Sequence, residues 1–386
     1  MYYKRIELLK GVAILFILIS NAINFWLISS GVIPLIIAFI ILILDLFGAT
    51  FYIFLNSFNI SFLLEKKMGC IIDKKYRNKV LMQGFLLILL GFPFNMIING
   101  LYGLPFNIWG WNIITFLGFS QIICYFAYKL VRWTRIIIAI TIIVQTPFLR
   151  EILFFYKDQN IIVQMLYFLL VSPYPYYSPL PYVAISFFST VFGELIYEAK
   201  LLESKVAELN AIKSVLKYGI ILLIVGLIIP LVELRIIITT YNYNPNEFPF
   251  LDMPSILQSQ FIIFIPNLPE FLVRGIASNI FINMGISLLL IGLTLYIFYY
   301  KQKEGRLSRF LVLFGESSIT LLFLQYLFLY LFYQVIPVWL IFFTLSFYIV
   351  GLGVVIYLWA KHAAWIPNVD KIIKRVVYKS QTKSIK

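Results

Sequence analysis

The chain has 386 residues, 62% of them hydrophobic and only 12% charged, with a formal net charge of +14 at pH 7. A soluble domain carries about 25% charged residues, so this composition excludes a water-soluble globular protein. The basic residues flank apolar runs and form no continuous basic stripe, which reads as membrane topology and excludes nucleic acid as the expected partner.

Repeated apolar runs of about 20 residues, separated by short polar loops, predict an all-α, polytopic transmembrane helical bundle. The expected spans are 11–30, 34–64, 80–98, 111–130, 136–150, 181–198, 218–236, 276–299, 310–333 and 338–360, about ten in all. The first apolar run lacks a small-x-small exit and other spans follow it, so no cleavable signal peptide is expected. The run from Pro34 to Leu64 is too long for one straight crossing and is expected to tilt, project from the membrane or break, with Gly48 as a candidate point for a break. Residues 161–171 are too short to cross and read as re-entrant or interfacial. The Ser172-to-Pro181 stretch that follows is proline-rich and cannot support an unbroken helix.

Residues 198–217 alternate in charge (Glu198, Lys200, Glu203, Lys205, Glu208) and read as a solvated helical extension. Segment 237–275, with its prolines, is expected to cap an outward cavity. Ten spans place both ends on one side, and the basic residues identify it. Lys4, Arg5 and Lys10, the Lys66-to-Lys79 group, Lys129 to Arg135, Lys200 to Lys217, Lys301 to Arg309 and the basic tail fall together. Only Arg150, Lys157, Arg235 and Arg274 fall opposite, so both termini are expected to be cytoplasmic. This gives one transmembrane domain over residues 1–366 and a basic cytoplasmic tail over 367–386, lying against anionic lipid. The two cysteines, Cys70 and Cys124, are both assigned to the inner side, so neither a structural disulfide nor a thiolate metal site is expected.

Polar residues inside the spans are the candidates for chemistry: Asn21, Asp45, Asn56, Asn59, Gln121, Glu194, Glu316 and Gln325. An amide or carboxylate in hydrocarbon is costly and is expected to face other helices or a wet cavity. Asp45, inside Leu42-Ile-Leu-Asp-Leu-Phe47, is the most costly, and reads either as a general base or as a bundle-fixing hydrogen-bond acceptor. Asn56 and Asn59, one turn apart, read as interhelical hydrogen-bonding residues, and Gln325 could equally be packing glue. Glu316 after Phe314-Gly315 is expected to cap the start of a helix. Glu7 and Lys10 have the spacing to pair on one helix face. There is no phosphate-binding glycine loop, no Gly-x-Ser-x-Gly elbow and no His/Cys metal spacing. The one histidine, His362, reads as an interfacial flank.

Several stretches resemble, in order, the membrane acyltransferases related to heparan-alpha-glucosaminide N-acetyltransferase and their prokaryotic relatives. Glu7-Leu-Leu-Lys10-Gly11-Val-Ala-Ile-Leu15 is similar to that family's acidic-x-x-basic-Gly opening of the first helix. Asp45-Leu-Phe-Gly-Ala-Thr50-Phe-Tyr-Ile-Phe54-Leu-Asn-Ser57 resembles its second-helix signature, with Asn56 or Ser57 at the usual glycine. Arg77 to Gly84, Trp111 to Ser120, and Tyr177 to Val183 ending in Phe192-Gly193 resemble the openings of later helices. Leu307 to Gly315 followed by Ser317-Ser-Ile-Thr-Leu-Leu-Phe-Leu-Gln325 resembles its late pattern.

The resemblance implies a multi-pass plasma-membrane enzyme that transfers an acyl group, such as acetyl, from cytosolic acyl-CoA to a sugar amine or hydroxyl of an envelope or lipid-linked glycan, without metal. It implies catalytic roles for Asp45, Asn21 and Gln325, and Lys10, Lys66, Lys67 and Arg77 are the candidates for the CoA phosphates. Relatives often carry histidine at the positions of Asn21 and Gln325, where this chain has amides. That departure leaves an alternative, an inactive family member acting as a lipid- or glycan-binding carrier. The expected partners are membrane lipids and the glycan acceptor, with a homo-oligomer left open.

Overall fold

The computed structural model describes residues 2–27, 40, 43–44, 47–67, 74–98, 111–171, 179–239, 275–300, 305–362, 369 and 372. Asp45, Cys70, segment 240–274 and most of the basic tail lie outside them. The described elements are helices: α1 Tyr2–Trp26, α2 Ala49–Lys67, α3 Lys74–Ile98, α4 Ile113–Tyr128, α5 Arg132–Tyr156 and α6 Ile161–Leu170. They continue as α7 Pro179–Leu201, α8 Lys205–Thr239, α9 Ala277–Tyr300, α10 Arg306–Glu316, α11 Ser318–Leu329 and α12 Ile341–His362. The one extended pairing described is an isolated parallel bridge between Leu27 and Ile336, flanked by Ile336 N donating to Trp26 O at 2.9 Å.

Seven of the described helices are long and apolar enough to cross a membrane, or eight if α10 and α11, bent by 77°, count as one broken span. A bilayer core of about 30 Å needs about 20 helical residues, and α5, with 25, has length to spare. The helices differ in how much of each is covered by protein. The apolar windows of α1, α7 and α9 are 61%, 72% and 61% buried, whereas those of α5, α8 and α12 are 28%, 22% and 28% buried. The first three therefore form the centre, and the last three turn apolar side chains such as Ile137, Ile224, Phe343 and Phe347 outward, as lipid-facing helices do.

Several sequence expectations are refined. In the long run after Pro34, of which residues 34–39, 41–42 and 45–46 are outside the described residues, Gly48 forms a turn before α2 begins at Ala49. The expected single span 310–333 is instead two helices hinged at Ser317. The charged extension 198–217 is two helix ends joined by a turn at 202–204, where Glu203 adopts φ 48°. The span expected to start near residue 218 starts within a helix that begins at Lys205, so its first turns carry the alternating charges. Residues 161–171 do contain a short helix, α6, with Ile161, Ile162, Met165 and Leu166 exposed.

Packing between helices relies on buried small polar residues as well as on apolar contacts. Ser278 Oγ donates to the Gly226 carbonyl at 2.5 Å, joining α9 to α8, and Ser57 Oγ donates to Ser186 Oγ at 3.3 Å, joining α2 to α7. Asn112 caps α4: its side-chain oxygen accepts from Thr115 N at 2.8 Å. Its Nδ2 donates to the Gly91 carbonyl and to Asn95 Oδ1, both at 2.7 Å, tying the cap to α3. Replacing Asn112 with Ala removes three bonds at a site 5% exposed. Cap losses typically cost about 1–2 kcal/mol, and the lost bonds to Gly91 and Asn95 add to that. We expect Asn112→Ala to lower the detergent-solubilised melting temperature measurably, and Asn112→Asp not to recover the loss, because its second oxygen would face the Gly91 carbonyl at a buried site.

Candidate functional site in the bundle interior

Two of the three catalytic candidates meet. Asn21 is one turn from the end of α1, and its Nδ2 donates to Gln325 Oε1 on α11 at 3.4 Å. Gln325 Nε2 in turn donates to the Leu18 carbonyl at 3.3 Å. Gln325 is fully buried and Asn21 half-buried. The two helices run side by side here, because Trp26 Nε1 further along α1 reaches the Leu329 carbonyl at 3.1 Å. An amide nitrogen carries two N–H groups, so each of these side chains keeps one donor beyond the bonds just described. Such donors can stabilise a developing oxyanion, but neither amide can take a proton at neutral pH. Asp45, the third candidate, is outside the described residues.

The α10–α11 hinge lies against the same helix. A side chain at Gly315 would overlap the Glu7 carbonyl, and one at Gly11 would overlap the Leu311 carbonyl. α1 and α10 therefore cross backbone to backbone, which is what small residues permit in helix pairs within membranes. At the hinge, Ser317 N still donates to Leu313 O at 3.2 Å, while the Ser317 carbonyl accepts from Leu321 N at 2.9 Å and starts α11. Tyr52 on α2 fixes that start through a 2.6 Å hydrogen bond from its hydroxyl to Ser318 Oγ. On the α1 side, Glu7 is 3% exposed and accepts from Lys10 Nζ at 3.2 Å, the pairing its spacing predicts.

The remaining candidates have distinct places. Asn56 and Asn59 do not supply interhelical bonds among the described residues: Asn56 Nδ2 and Asn59 Oδ1 are buried without a partner, and Ser57 bonds α7 in their stead. Gln121 is 5% exposed, with its Oε1 also unpartnered. Glu194 is a structural anion. It pairs with Arg132 at 3.0 Å and, more closely, with the 2%-exposed Arg135, while Arg132 also reaches Glu198. Glu316 is the exposed last residue of α10 and does not start a helix. His362 is the exposed last residue of α12.

Among the CoA-phosphate candidates, Lys10 is engaged by Glu7, and half-buried Arg77 donates through Nε to neighbouring Asn78 at 3.2 Å. Lys66 and Lys67 end α2, and their side chains are outside the described residues. Among the described residues no cluster of three His, Cys, Asp or Glu side chains could hold a metal ion.

Sequence reasoning missed Tyr52 and the hinge, although Tyr52 lies one turn before Asn56, and Glu316-Ser-Ser318 is a polar interruption of an apolar run. It also counted Arg150 only as a flanking charge, yet that residue is 3% exposed. No protein family, curated protein or solved structure matches the chain.

Proposed function

We propose that this membrane protein is an acyltransferase of the plasma membrane that passes an acyl group, acetyl in the simplest case, from cytosolic acyl-CoA to a sugar amine or hydroxyl of an envelope or lipid-linked glycan. The observation that carries the reading is the Asn21–Gln325 amide pair, buried between α1 and α11 beside a hinged span. The ordered sequence resemblance and the basic inner loops support it. The acceptor O–H or N–H attacks the thioester carbonyl, its proton passing to Asp45 as general base. The remaining N–H groups of Asn21 and Gln325 hold the resulting oxyanion. Collapse of that intermediate breaks the C–S bond, and the CoA thiolate leaves and is reprotonated. Both termini face the cytoplasm in this reading, so Lys66, Lys67 and Arg77 lie on the donor side, where they meet the CoA phosphates.

Asp45→Asn is expected to abolish CoA release in an acyl-CoA assay with envelope glycan extracts, with expression and melting temperature unchanged. An Asp45→Asn protein with full turnover would remove that carboxylate from the mechanism. One observation favours a second reading, a lipid- or glycan-binding carrier: the two amides already bond to each other and to Leu18. A carrier would bind lipid or glycan without releasing CoA from any acyl donor.

A further inference from the structure

α5 carries arginines toward both ends, and they are treated in opposite ways. Near its start, Arg132 and Arg135 are neutralised by Glu194 and Glu198 of α7. Near its other end, Arg150 is equally buried, at 3% exposure, and no carboxylate among the described residues lies within ion-pairing distance of it. Among the described residues its guanidinium is held by neutral groups: Nε donates to the Val171 carbonyl at 3.0 Å and Nη1 to the Gly275 carbonyl at 3.4 Å. A guanidinium has five N–H donors, so most of its capacity lies beyond these two bonds. A buried charge in a membrane bundle is costly unless it is compensated, and carbonyl dipoles supply no net charge.

A second feature stands beside it. Gly275 precedes α9 with φ +80°, a backbone conformation that favours glycine. Among the described residues nothing would clash with a side chain's first carbon there. Among the described residues its only neighbours within 4 Å are Arg150 Nη2, at 3.5 Å, and the Tyr182 hydroxyl, at 4.0 Å. An atom placed at that point touches the Arg150 guanidinium directly.

We propose that Arg150, with Tyr182 and the Cβ position at Gly275, forms an anion site at the end of α5 remote from Glu194, and that it takes a phosphate group. A phosphate offers several oxygens to the planar fork of an arginine and supplies a negative charge that no described side chain brings to Arg150. The phosphate could be that of a lipid or a free anion, and both present the same chemistry to Arg150. The site does not depend on acyl transfer: it stands if the chain proves to be a carrier.

The test is thermal unfolding of the delipidated, detergent-solubilised protein, titrated with a long-chain polyprenyl phosphate, with the matching uncharged polyprenol, and with inorganic phosphate. Wild-type protein is expected to show a saturable upward shift with polyprenyl phosphate and none with polyprenol. An equal shift with inorganic phosphate would identify a free-anion site, and its absence a lipid-phosphate site. Arg150→Gln keeps an amide for the carbonyls but removes the charge, and should weaken binding about tenfold or more. Gly275→Ala keeps Arg150 and puts a methyl at that Cβ position, and should reduce binding in the same direction. If neither variant folds, the wild-type titration alone decides. No saturable shift with either phosphate, or an unchanged affinity in Arg150→Gln, would overturn the site.

Discussion

Gly315→Val is expected to be among the most damaging single substitutions in this protein. The valine Cβ would overlap the Glu7 carbonyl carbon and oxygen, which are main-chain atoms of α1 and cannot rotate aside. Forcing side-chain volume into a packed core costs about 1–3 kcal/mol when side chains can adjust, and a backbone contact removes that relief. We expect a loss of about 3 kcal/mol or more, read as a fall in melting temperature of roughly 5 °C or more or as failure to recover folded protein. The control is Gly351→Ala in α12, where nothing lies within 4 Å of the added carbon and no loss is expected. Gly315→Ala places the same Cβ against the Glu7 carbonyl and should also be strongly destabilising, and because Gly315 is two residues from the Ser317 hinge the Tyr52–Ser318 bond should be disturbed with it.

Glu194→Ala should be comparably destabilising, for an electrostatic reason. Glu194 is the only described carboxylate paired with buried Arg135, whose Nη1 already lacks a partner. Removing one member of a buried pair typically costs about 3–5 kcal/mol, because the other charge is stranded. Arg132 retains Glu198 and Arg135 retains the Leu130 carbonyl at 3.1 Å, so the lower part of that range is expected. Thermal unfolding of Glu194→Ala, of Arg135→Met and of the double variant separates the terms. The double variant should recover stability relative to Glu194→Ala, since it no longer buries an unpaired guanidinium. A double variant that falls by the sum of the two single losses would contradict this account.

The contrast between Glu194 and Asn21 shows what a sequence discloses about such a bundle. Hydropathy runs locate helices because lipid forces every backbone group to bond within its own segment, so the all-helical architecture was legible. The meeting of Asn21 with Gln325 was legible only as two costly residues, each needing a partner some 300 positions away in the chain. Glu194 looked equally costly, and only its position opposite Arg132 and Arg135 shows it to be a structural counter-ion.

The hinge was missed because α10 and α11 together form one apolar run of the length of a span, and hydropathy carries no information on direction. The charges of 198–217 suggested one solvated helix, and they fall on two helix ends, because alternating charge marks exposure without marking continuity. Arg150 read as a topology signal from its place near the end of an apolar run. Its burial depends on Val171 and Gly275, which approach it from segments distant in sequence.

The measurement that tests the proposed function most directly is thermal stability of the purified protein across acetyl-CoA, longer acyl-CoAs, free CoA and adenine nucleotides. The proposed function predicts a saturable upward shift with an acyl-CoA that exceeds the shift from free CoA or nucleotide, because only a donor site recognises the acyl thioester. A chain whose melting temperature responds to lipids or glycans, and to no CoA species, would contradict the acyltransferase reading and leave the carrier.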